Sequence, residues 1–216
     1  MMTSVDGRID CAMTEQLPGT EEYYTVLDSL DTPTHLSGRV TDELEMALPG
    51  KFSYKSSAPV GREEFYKASD AVGYEVVVDT NGSLLWRDQT DEVTPLLVLT
   101  SERVGIDYLN YLEEIHASYI ACGKERVDLE RACEILADNF GVKRMAVVGG
   151  GHINAAFLAA GLLDEIGILI GAGVDGRGGM SAVFDGLPSA RPVTRLKLKD
   201  VRTFESGAVL IRYNLK

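Results

Sequence analysis

The sequence predicts an α/β domain built on a largely parallel sheet, with an antiparallel hairpin at its C-terminal edge. Three observations carry this expectation. Short apolar runs bounded by turn residues (YEVVVD, PLLVLT, SYIAC, RMAVV) alternate with helical stretches through the middle of the chain. Strand–helix alternation is the pattern of parallel strands joined by crossover helices. The closing TRLKLKDVRTFESGAVLIRYNLK reads instead as two alternating strands around a turn, and no shift in composition marks a linker. One domain over residues 1–216 is the simplest organisation.

Taken in order, Met1 to Ile9 reads as an edge strand running into a turn at Asp6-Gly7. EEYYTVLDSL, from Glu21, has helical spacing at Tyr23, Val26, Leu27 and Leu30. THLSGRVT reads as a short strand entering a turn. Leu48 to Ser69 mixes Gly, Pro, Ser and Lys and reads as a long irregular loop, of the kind that is functional or mobile. YEVVVD is a buried strand ending at Asp79 before an Asn-Gly turn. PLLVLT is a strand ending at Thr100, DYLNYLEEIHA a helix and SYIAC a strand. VDLERACEILADNFG is a helix stopped by Gly141. RMAVVGGG is a strand entering a turn and INAAFLAAG a helix. DEIGILIGAG is a strand leading to a second glycine-rich loop, DGRGG.

Composition narrows the function classes. Acidic residues outnumber basic ones 33 to 21, for a net charge of −12. A nucleic-acid partner is disfavoured, because phosphate backbones require clustered Lys and Arg. No apolar run approaches the roughly 20 residues that span a bilayer, and MMTSVDGRID has no apolar leader core. The expectation is a soluble cytoplasmic protein without a membrane partner. Cys11, Cys122 and Cys133 form no CxxC pair, and His35, His116 and His152 form no HExxH, so no metal site is expected. Trp86, the single tryptophan, is read as core.

The most informative segment is AVVGGGHINAAFLAAG, from Ala146 to Gly161. Glycine loses more backbone entropy than any other residue on folding, so three in a row require a reason. A strand, glycines and a helix start together form an anion site, because the first helical N–H groups are free and the dipole is positive there. GxxxxGK[ST] is absent. Gly149, Gly151 and Asn154 only approach GxGxxG, and too little chain follows for a dinucleotide domain that this motif normally opens. A tight strand-to-helix turn without a ligand stays open.

VVGGGHINAAFLAAGLLDEIGILI resembles the dihydrofolate reductases, and is more similar still to the reductase domain of riboflavin biosynthesis, the RibD C-terminal family. MMTSVDGRI is similar to that family's opening strand and turn, SGRVT to its strand-to-helix turn, and DEIGILI with DGRGG to its strand and glycine-rich loop. The resemblance implies a dihydrofolate-reductase-like fold, a homodimer and NADPH as cofactor. It implies that Gly149, Gly150 and Gly151 face the pyrophosphate, with one Gly-Gly peptide cis, and that His152 and Ile153 open the phosphate-binding helix. Gly38, Arg39 and Thr41 correspond to the segment at the adenosine end. Arg39 is the candidate for the 2′-phosphate, because a guanidinium suits bidentate phosphate contact. Thr100, Ser101 and Arg103 match a second adenosine-side turn; a salt-bridge role for Arg103 stays open. Ser4, Asp6 and Glu21 correspond to the substrate side, and Asp6 is the candidate for proton delivery, although Asp-Gly is also simply a good turn.

The chain departs from the riboflavin enzymes where DELEMALPG replaces their phosphoribose-associated DNPxL segment, and it has no zinc deaminase motif. The implied activity is NADPH-dependent reduction of a small heterocyclic substrate, as in 5-amino-6-(5-phosphoribosylamino)uracil reductase. A dihydrofolate or pterin reductase and a nucleotide-binding protein without turnover are the alternatives.

Overall fold

A computed structural model describes residues 1–55 and 58–215. In chain order the elements are β1 (Met2–Thr3), α1 (Cys11–Thr14), α2 (Thr20–Asp28), β2 (Thr34–Gly38), α3 (Arg39–Glu45), β3 (Glu64–Tyr66), β4 (Glu75–Val78) and β5 (Leu96–Thr100). They continue with α4 (Ile106–Glu114), β6 (Ser118–Ala121), α5 (Leu129–Phe140), β7 (Met145–Val147), α6 (Gly151–Ala159), β8 (Glu165–Ile170), β9 (Lys197–Thr203) and β10 (Val209–Asn214). The chain divides into two compact units, residues 32–147 and residues 1–31 with 148–216.

The first of these units holds a six-stranded sheet ordered β3-β6-β5-β4-β2-β7. All its pairings are parallel except the one that adds β3 to β6. Strands buried on both faces must be continuously apolar, and LLVLT of β5 is buried at every position. Val77, Val98, Leu109, Leu112 and Trp86 pack into one core, with Trp86 Nε1 donating to the Tyr108 hydroxyl at 3.1 Å. α5 shows how local rules set an element. Asp128 caps it by accepting from Arg131 N, Gly141 ends it with φ 72°, and Ala132, Ile135, Leu136 and Phe140 form its buried stripe.

The other unit holds a four-stranded sheet ordered β1-β8-β10-β9. β1 and β8 are parallel, while β10 is antiparallel to both its neighbours. This is the predicted C-terminal hairpin. Met2, Leu169, Ala208 and Leu210 form the core of one sheet face, against Leu17, Tyr23 and Val26.

The structure corrects three expectations. GRVT does not end in a turn: α3 begins at Arg39, directly after β2, and an Arg39–Glu43 pair one turn apart supports it. The Leu48–Ser69 stretch is not a featureless loop. It contains β3, isolated bridges at Leu48–Leu85 and Pro59–Gly105, and Phe52 packed among the rings of Tyr54, Tyr108 and Tyr111. Alternating polarity is weak there, so pairing rather than local pattern makes the strand. Ser56 and Ser57, within that stretch, lie outside the described residues. The peptide bonds at Gly149–Gly151 are trans.

Candidate active site

The glycine turn does two separate jobs. Gly150 takes φ 77° and ψ 124°, a backbone region open to glycine, and forms the N-cap of α6. Gly151 is needed for close approach, because a Cβ there would stand 2.2 Å from the carbonyl oxygen of Ala182. The segment around Ala182 is fastened to α6. Asn154 Nδ2 donates to Val183 O at 2.7 Å, Asp185 N donates to Gly151 O at 3.1 Å, and the His152 ring lies against Gly186. α6 has no side-chain cap and no acidic residue in its first turn. Its opening N–H groups, at Gly151, His152 and Ile153, therefore keep their capacity for an anion, and the helix dipole favours negative charge there. His152 is exposed and Ile153 half-buried.

Ser4 and Asp6 come together in the same unit, just past the end of β1. The Ser4 hydroxyl donates to Asp6 Oδ1 at 2.7 Å, and the N–H groups of Asp175 and Gly176 donate to its two carboxylate oxygens at 3.0 Å each. These three donors hold the Asp6 carboxyl far below the usual carboxylate range, with Ser4 the largest influence. Asp6 is thus a carboxylate at any physiological pH. It clamps the DG turn to the DGRGG loop, and a fixed carboxylate suits accepting hydrogen bonds rather than donating a proton. Around it, Arg8 Nη1 donates to Met180 O, and Arg177 pairs with Asp175 and Asp10. Glu21 is not among the partners of Ser4 or Asp6. It stands exposed in the first turn of α2.

The other candidates lie in the six-stranded unit, at the carboxyl ends of the parallel strands β2 and β5. Open α/β sheets place ligands outside such ends. Gly38 is buried and extended, at φ −104°, and caps α3. Arg39 follows it and donates to Glu43. Thr41 is half-buried. The hydroxyls of Thr100 and Ser101 donate to the carbonyl of Thr80, at 3.1 and 2.9 Å, and tie the ends of β4 and β5 together. Arg103 is exposed and paired with Glu125.

Sequence reasoning missed two carboxylates here. Asp42 is 1% exposed and accepts from the Ser37 hydroxyl at 2.6 Å. Burial pushes its pKa up to about 7, against the lowering effect of Ser37 and with help from the charges of Glu45 and Glu75. Nothing in TDELE distinguishes this acid from its solvated neighbours. Asp79, fully buried, accepts from the N–H groups of Ser83 and Leu84 and from the hydroxyls of Ser83 and Tyr108. An Asp directly before a Thr-Asn-Gly turn was a legible signal for such a clamp.

The RibD C-terminal domain model matches residues 1–210. The chain belongs to the RibD C-terminal domain family. Solved structures agree on the fold. A pyrimidine reductase-like protein of Corynebacterium diphtheriae superposes with a TM-score of 0.72 at 17% identity, over 99% of this chain and 88% of that one. RibD of Acinetobacter baumannii gives 0.67 at 18% identity, with 99% of this chain covering 56% of that one, so the chain spans a little over half of that protein's length. The riboflavin biosynthesis reductase of Saccharomyces cerevisiae gives 0.60 at 19% identity, over 99% and 86% of the two chains.

Membership of the RibD C-terminal family implies a nicotinamide cofactor, and each unit by itself carries groups of a kind that suits part of one. The α6 turn offers uncapped N–H groups behind a glycine at positive φ. Arg39 and Arg103 place cations next to the strand ends of the six-stranded sheet.

Proposed function

We propose that this RibD C-terminal domain is an NADPH-dependent reductase of a small heterocyclic substrate, acting in the cytoplasm. The observation that carries the reading is the α6 start: a Gly-Gly-Gly turn into a helix with no capping side chain and no first-turn acid. A helix free of both competitors is suited to the pyrophosphate of a dinucleotide. When bound, NADPH supplies the hydride, and the chain supplies position and electrostatics. Gly149, Gly150 and Gly151, with the N–H groups of His152 and Ile153, hold the pyrophosphate. Gly38, Arg39, Thr41, Thr100, Ser101 and Arg103 serve the adenosine end, with Arg39 on the 2′-phosphate. Ser4 and Asp6 shape the substrate side, with Glu21 beside it on α2.

The substrate favoured is a ribosylaminopyrimidine. A Thermotoga maritima protein that shares the fold, with a TM-score of 0.62, is described as a diaminohydroxyphosphoribosylaminopyrimidine deaminase and 5-amino-6-(5-phosphoribosylamino)uracil reductase. Loss of NADPH absorbance on adding that uracil derivative tests the reading. Consumption of NADPH in step with the pyrimidine supports it. Nucleotide binding without consumption, across this substrate and dihydrofolate, points to a binding protein instead. A homodimer belongs to the same reading, supported by the exposed apolar Leu198 and Val201 on the edge strand β9. Light scattering at twice 23.5 kDa is the expected result.

A further inference from the structure

Two cations in the six-stranded unit converge on one carboxylate. Arg39 Nη1 donates to Glu43 Oε2 at 2.5 Å, and Lys51 Nζ stands 3.8 Å from the other oxygen, Oε1. Lys51 is anchored by its neighbours. Leu48 N donates to Leu85 O at 2.8 Å, Phe52 N donates to Ser83 O at 2.9 Å, and the Phe52 ring sits among three tyrosines. Arg39 is placed by the end of β2. α3 itself carries three acids, Asp42, Glu43 and Glu45, against the single Arg39. One guanidinium in that company is a poor site for a phosphate dianion, so a second cation is required.

We propose that Glu43 occupies the anion position between Arg39 and Lys51 that the 2′-phosphate of NADPH takes, so that Lys51 is a second phosphate-binding residue and Glu43 sets the discrimination between NADPH and NADH. The inference rests on the cofactor reading above. The 2′-phosphate displaces the Glu43 carboxylate and gains both cations, since phosphate offers more acceptor oxygens and more charge than a carboxylate. NADH has only a 2′-hydroxyl. It leaves the ion pairs in place and donates to the Glu43 carboxylate, as acids at the adenosine end do for the ribose. Glu43 therefore favours NADH and opposes NADPH, and its removal shifts the preference further toward the phosphate.

The test uses 2′,5′-ADP and 5′-AMP, which differ only in carrying or lacking the 2′-phosphate, titrated calorimetrically into wild type, Glu43→Gln and Lys51→Met. An exposed charge pair supports changes of about threefold. We expect 2′,5′-ADP to bind about threefold tighter to Glu43→Gln and about threefold weaker to Lys51→Met, with 5′-AMP unchanged or weaker in the first variant and unchanged in the second. A merely structural role for the pair moves the melting temperature but not the ratio of the two affinities. Equal changes for both nucleotides, no change for either, or no binding of 2′,5′-ADP to any form overturns the inference. Absence of NADPH turnover with every acceptor defeats the reductase reading alone, because the nucleotide ratio is measured without it.

Discussion

At the scale of single residues, the candidate site is built largely from side chains that already have partners. Asp6 is the clearest case. It accepts three hydrogen bonds and stays ionised, so its work is to hold two loops together. Asp6→Asn should leave the shape of the pH–rate profile unchanged while speeding amide exchange at Asp175 and Gly176. Loss of an ionisation from the profile would show that Asp6 transfers a proton. Gly151 is fixed by space rather than by φ. A Cβ 2.2 Å from a backbone oxygen cannot be relieved by a side-chain rotation. Gly151→Ala should destabilise the protein by about 2 kcal/mol or more in a denaturant melt, as overpacking against backbone does. An unchanged midpoint would mean that the Ala182 segment yields freely. At this scale the sequence was legible only in part. The three glycines and the DG turn announced themselves, since both are residue types tied to backbone geometry. The burial of Asp42 did not, because one face of a seven-residue helix cannot be phased from a run of acids.

At the scale of elements, strand identities followed from apolar runs, and α5 from its cap, stripe and glycine stop. β3 was invisible, because three residues with an exposed Phe65 form a strand only through pairing with β6. α3 follows β2 directly at SGRVT, which resembles a strand-to-helix turn, and the Arg39–Glu43 pair and the burial of Asp42 against Ser37 support it. That burial gives α3 a pH dependence. Unfolded, Asp42 ionises near 3.8; folded, near 7. Between these values the unfolded chain releases a proton that the folded chain keeps. Stability therefore falls as pH rises through this window, by up to about 4 kcal/mol for three pKa units. Asp42→Asn keeps an acceptor for Ser37 and cannot ionise. Urea melts at pH 5 and pH 8 should show that the variant gains on wild type as pH rises. A constant difference between the two proteins would show that Asp42 ionises normally.

At the scale of the whole molecule, an acidic chain at −12 must place its few available cations deliberately to hold an anionic cofactor. Within the six-stranded unit Arg39 and Arg103 follow the ends of β2 and β5, and Lys51 pairs with Glu43 one turn along α3 from Arg39. The other unit has a helix start with no capping side chain and no acid in its own first turn. The family was legible because its marks are glycines and turns, which are set by backbone geometry and tolerate little change. The partners of each charge were not, since ion pairs depend on positions far apart in sequence, as Lys51 and Glu43 show. The most direct test is a fluorescence titration of wild type and Arg39→Ala with NADPH and NADH in parallel. Wild type is expected to bind NADPH more tightly than NADH, and Arg39→Ala to lose NADPH affinity while NADH affinity holds. Failure of wild type to bind either nucleotide, or an equal loss for both in the variant, would contradict this.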